Sequence, residues 1–64
     1  MDDEYAWLRA ELAKRHITRW QLAYVAQLSY SYVSRLLNGE QRAGGTAYNK
    51  IKIACVAFGI EYPA

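Results

Sequence analysis

The chain is expected to fold as a compact all-α domain of four to five helices, and three observations predict it. Proline occurs once, at Pro63, so nothing prohibits helix before the C-terminal end. No window alternates apolar and polar residues in the manner of a half-buried strand. Apolar residues recur three and four apart instead, in segments punctuated by Asp, Thr, Ser and Gly. At 64 residues the chain makes one domain, spanning residues 1–64, near the lower limit for a self-supporting core.

The first helix is expected to open near Asp2 or Asp3, whose carboxylates suit an N-cap and the positive end of the helix dipole. Tyr5, Leu8 and Leu12 share one face, Trp7 and Tyr5 close that side of the core, and Lys14, Arg15 and His16 finish the helix. The second helix opens at Thr18, where Thr18-x-x-Gln21 has the form of a capping box, and Leu22, Val25 and Ala26 make its apolar face. Trp20, just after the cap, reads as a packing residue. After a break at Gln27-Leu28, Ser29 caps a third helix that turns Val33, Leu36 and Leu37 inward, covers apolar surface with Tyr32 and stops at Asn38-Gly39. The polar stretch 40–45 is a loop, with room for a short fifth turn between Gln41 and Tyr48. Thr46 caps a last helix whose apolar positions are Ile51, Ala54, Cys55 and Phe58, Gly59 closes it, and residues 60–64 form an extended tail.

Composition excludes several function classes. A single cysteine, Cys55, rules out an internal disulfide and gives no metal-ligand cluster. Ser29, Ser31 and Ser34 have no base nearby, and His16 has no Cys, Asp or Glu at catalytic or ligand spacing. No enzyme activity, metal or cofactor is therefore expected. No apolar run approaches the roughly 20 residues of a membrane span, and the acidic N-terminus is unlike the basic start of a signal peptide. A cytoplasmic location is the expectation.

The net charge of +2 conceals an asymmetry. Asp2, Asp3, Glu4 and Glu11 dominate the first helix, opposed there by Arg9. From Lys14 to Lys52 the balance reverses, with Arg15, Arg19, Arg35, Arg42 and Lys50 between them and Glu40 the lone acid. Such a basic middle suits a polyanion on one face, although Lys50 and Lys52 also fit an ordinary solvated face.

The most informative stretch is 18–39. Two short helices crossing steeply need a small residue where their backbones approach, which Ala23 supplies, and an apolar plug in the turn, which Leu28 supplies. The outer face of the second of these helices is left as Tyr30, Ser31, Ser34, Arg35 and Asn38, groups suited to base edges. The Leu22-Ala23 pair, Leu28-Ser29, Val33-Ser34-Arg35-Leu36, Asn38-Gly39, Ala47-Tyr48-Asn49, Lys52-Ile53-Ala54 and Phe58-Gly59-Ile60 together resemble the helix-turn-helix family of lambdoid phage repressors and Cro proteins, over nearly the whole chain.

The resemblance implies a lambda-repressor-like fold and a transcriptional regulator that binds double-stranded DNA, with the helix of residues 30–38 in the major groove. It makes Tyr30, Ser31 and Arg35 base contacts, with Ser34 nearby, and Arg19, Asn38 and Arg42 phosphate contacts. It implies a homodimer on a palindromic operator, for which the tail residues Phe58, Ile60 and Tyr62 are the candidate surface. Three positions depart from the family pattern. Gln27 stands where the turn commonly has Gly, the loop after Gly39 is longer, and Leu12 and Leu37 replace an Arg–Glu pair between the first and third helices. Two other readings remain open. One is a protein-interaction module of the same build, an antitoxin or anti-repressor; the other is the DNA-binding fragment of a longer repressor.

Overall fold

The computed structural model describes residues 4–63, and among them it is all-helical, with no strand. Four helices run α1 (Ala6–Lys14), α2 (Arg19–Ala26), α3 (Tyr30–Leu37) and α4 (Gly45–Ala57). The expected fifth turn between Gln41 and Tyr48 does not form, because α4 itself takes up the residues from Gly45 onward. α2 packs against both α3 and α4, and α1 rests on α3.

Tyr5, Leu8 and Leu12 from α1 and its entry, Leu22, Ala23 and Ala26 from α2, Val33, Leu36 and Leu37 from α3, and Ile51, Ala54 and Cys55 from α4 form one buried cluster. The inward faces read from the spacing are therefore those that pack, with one correction. Val25 is exposed and Ala23 takes its place, at the position where α2 must approach its neighbours closely. Leu12 and Leu37 are both buried, so these two positions are held by apolar packing. Arg9, one turn earlier on α1, donates through Nη1 to the Leu37 carbonyl, supplying a cation and a donor to the last turn of α3.

Helix starts divide by mechanism. At α2 the capping box is complete, with Gln21 N–H donating to Thr18 Oγ1 (3.1 Å) and Thr18 N–H to Gln21 Oε1 (2.7 Å). At α3, Ser29 Oγ accepts from Tyr32 N–H at 3.1 Å. The expected capping residues Asp2 and Asp3 lie outside the described residues, and α1 begins later than expected, at Ala6 after Tyr5, with no side-chain cap. Nor does Thr46 cap α4. The cap is Gly44, also without a side-chain bond, and Thr46 falls inside the helix.

All four helices end the same way. A residue at the C-cap (Gln27 of α2) or directly after it (His16, Gly39 and Gly59) turns left-handed, and the next N–H reaches back across the last turn: Ile17 to Leu12 O (2.9 Å), Leu28 to Ala23 O (3.0 Å), Glu40 to Arg35 O (2.9 Å) and Ile60 to Cys55 O (2.8 Å). Gly39 and Gly59 supply two of the left-handed positions, but His16 (φ 57°) and Gln27 (φ 58°) supply the others. Ile17, Leu28 and Ile60, which follow a left-handed residue, are apolar and pack on the core, as this termination requires. Ile60 is thus 2% exposed and is no dimer surface in this monomer.

A non-glycine residue in the left-handed region costs roughly 1–2 kcal/mol, and glycine's greater unfolded freedom returns part of that. Gln27→Gly and His16→Gly, whose side chains are exposed, are each expected to stabilise the fold by about 0.5–1 kcal/mol. Urea midpoints measure this, and a lower midpoint in either variant would refute it.

The tail also closes onto the monomer. Tyr62 packs edge-on against Trp7 (ring centroids 4.9 Å apart) and Tyr48 (5.5 Å). Lys52 Nζ lies over the Tyr48 and Tyr62 rings at 5.9 and 6.0 Å, so this lysine is an aromatic partner as well as a surface charge. Burial raises the pKa of Tyr5, against the effect of its hydrogen bond with Tyr62. Burial also raises Tyr62, and its bond to Tyr5 adds to the rise. The buried Cys55 thiol is raised by desolvation. Groups raised in the folded state contribute stability that is complete below their ordinary values, 10.0 for the phenols and 9.0 for the thiol, and is lost as pH rises through the folded values. The thermal midpoint is therefore expected to fall steeply above about pH 10. Tyr62→Phe is expected to flatten that fall, and an equal slope in both proteins would count against this assignment.

Candidate nucleic-acid interface

The outer side of α3 carries two rows of side chains, each at one-turn spacing. Tyr30, Ser34 and Asn38 face the start of α2, while Ser31 and Arg35 face the loop after Gly39.

The first row is tied to α2 at both ends. The Trp20 and Tyr30 rings lie parallel, with centroids 4.0 Å apart and planes 14° apart. Arg19 Nη1 donates to Ser34 Oγ (2.8 Å) and Nη2 to Asn38 Oδ1 (3.0 Å). Arg19 is the first residue of α2, directly after the Thr18 cap, so the helix start and the guanidinium are fixed together. Asn38 Nδ2 in turn donates to Glu40 Oε2 at 3.2 Å. The donor that Asn38 would offer a phosphate is thus engaged by a carboxylate. Glu40 is drawn in by the sharp reversal at Gly39, the helix stop that ends stretch 18–39.

In the second row Arg35 donates from Nη1 to Ser31 Oγ (3.1 Å) and from Nε to Gln41 Oε1 (2.9 Å). The Ser31–Arg35 contact accords with their one-turn spacing on α3; Gln41 is missed by spacing, because the same reversal brings it back over α3. Both Arg19 and Arg35 donate to neutral oxygens, so these bonds orient the guanidinium groups without pairing them directly to a carboxylate; Glu40 stands one amide away from Arg19, on Asn38. Neither α2 nor α3 contains a carboxylate. The one acid within α1, Glu11, pairs with Arg15 and Lys14, and the Arg15 hydrogen bond, ahead of Lys14, holds its carboxyl below the usual range.

Six of the seven proposed contact residues thus share one surface: Tyr30, Ser31, Ser34, Arg35, Arg19 and Asn38. Arg42 is exposed in the loop beyond it. Ser34 and Tyr30 are half-buried, whereas Ser31, Arg35 and Asn38 are open to solvent. Trp20 is not the packing residue expected, since it is 66% exposed.

A separate apolar groove of about 540 Å³ runs along Trp20, Gln21, Tyr24, Val25 and Phe58. Of the three tail residues named for a dimer, Phe58 alone borders it; Ile60 is in the core and Tyr62 is packed on Trp7 and Tyr48. Among the described residues no group of three or more His, Cys, Asp or Glu is placed to hold a metal ion, and no helix is long and apolar enough to cross a membrane. Comparison with family models, with curated proteins and with solved structures finds no match.

Proposed function

We propose that the chain binds double-stranded DNA with α3 in the major groove, as a transcriptional regulator of the phage repressor and Cro kind. In this reading α2, the short turn at Gln27 and α3 act as a helix-turn-helix within a lambda-repressor-like domain. The observation that carries it is the convergence of Arg19, Ser34, Asn38, Ser31, Arg35 and Tyr30 on one surface of two helices that contain no carboxylate. Arg35, whose guanidinium can span guanine O6 and N7, is the chief base reader, with Tyr30, Ser31 and Ser34 beside it. Arg19 and Arg42 meet phosphates, Arg19 with the added attraction of the α2 N-terminus. Asn38 joins them once its amide leaves Glu40.

The bound form is a homodimer on a two-fold operator, which places paired recognition helices about 34 Å apart, and the setting is the cytoplasm. The test is the salt dependence of binding. Arg19→Ala is expected to weaken binding to specific and random duplexes alike and to reduce the slope of log affinity against log salt by about one unit. An unchanged slope would remove Arg19 from the phosphate contacts.

A second reading, a protein-interaction module such as an antitoxin or anti-repressor, draws on the apolar groove beside Trp20, Tyr24, Val25 and Phe58. It is distinguished by the absence of any salt-dependent affinity for duplex DNA.

A further inference from the structure

We propose that Trp20 is a positioning residue for Tyr30, holding the tyrosine at the angle from which it meets a base. The inference rests on the DNA-binding reading and adds to it a residue outside the contact set. An indole left 66% exposed buries too little surface to be explained by core packing. What it does touch is specific: its plane lies 14° from that of Tyr30, at 4.0 Å between centroids.

Tyr30 needs such support because of where it stands. It is the first residue of α3, and a helical side chain leans toward its own N-terminus, so no preceding turn of α3 lies beneath this one. A base-reading group must be held to within roughly 0.5 Å, which a free tyrosine rotamer does not provide. Trp20 has the rigidity to supply it. Its backbone lies within the complete Thr18–Gln21 capping box, and its neighbour Arg19 is bonded to Ser34 of α3 and to the α3 C-cap, Asn38. The backbone from which the indole projects is therefore fixed relative to the helix whose first side chain it covers.

The test uses the full chain and two duplexes, the preferred sequence obtained by selection and a random one, with affinity measured on both. Trp20→Leu keeps an apolar side chain but removes the flat partner, and it is expected to lower the ratio of preferred to random affinity by about two- to tenfold. Affinity for random DNA and the unfolding midpoint should change little, since the indole is exposed. Trp20→Phe, which can still stack, should recover most of the ratio. In a Tyr30→Ala background, Trp20→Leu should cause no further loss. An equal fall on both duplexes, an unchanged ratio, or a loss that adds to that of Tyr30→Ala would overturn the positioning role while leaving DNA binding intact. A wild-type chain with no preferred sequence would overturn the DNA reading and this inference with it.

Discussion

Replacing Leu22 by Ala is expected to destabilise the protein by about 2–5 kcal/mol, roughly half or more of the stability a domain of this size holds. Leu22 is fully buried on α2, the helix that packs against both α3 and α4. A domain of 64 residues has on the order of 3–10 kcal/mol in total, at the usual density per residue. Truncation removes buried methyl groups and opens a cavity that a core drawn from all four helices refills only in part. Leu22→Met conserves volume and is expected to cost less than about 1.5 kcal/mol. Ile53→Ala, at a position 68% exposed on α4, should stay within about 0.5 kcal/mol of the parent. Urea denaturation of the three variants checks the order, and a Leu22→Ala loss no larger than that of Ile53→Ala would contradict the packing described.

Arg35→Ala is expected to cost roughly 1–3 kcal/mol on the preferred DNA sequence and to relax the preference at one base pair. The side chain is exposed, and its fold contacts are hydrogen bonds to Ser31 and Gln41, so the loss should appear in binding and hardly in stability. Those two bonds hold the guanidinium over the outer row of α3 before any ligand arrives, which reduces the ordering cost of contact. Arg35→Lys keeps the charge but not the planar fork, and should recover affinity for random DNA without the base preference. Equal weakening on every sequence after Arg35→Ala would place this residue among the phosphate contacts instead.

Much of this architecture is legible in the residues themselves where the determinant is local. Thr18-x-x-Gln21 and Ser29 each carry their cap in the side chain, and both helices begin where those residues place them. The inward positions of α3 follow from spacing alone. Starts made by backbone geometry are illegible: Gly44 and Tyr5 cap α4 and α1 with no side-chain bond, and Tyr5 is held at the entry to α1 by burial of its ring. The fate of Ile60 was readable in principle. Phe58-Gly59-Ile60 has the form of a left-handed helix end followed by an apolar residue, and that pattern sends Ile60 into the core. His16 takes the same conformation with no glycine to announce it. On the candidate interface, contacts within α3 follow its one-turn spacing, whereas Trp20 on Tyr30, Arg19 on Asn38 and Gln41 on Arg35 depend on how helices and loop cross.

Selection of bound duplexes from random DNA, at two salt concentrations, tests the proposed function most directly. The expected result is an enriched site with two-fold symmetry, its half-sites one helical turn apart, and an affinity that falls steeply as salt rises. Recovery of no sequence above background at either salt would contradict it.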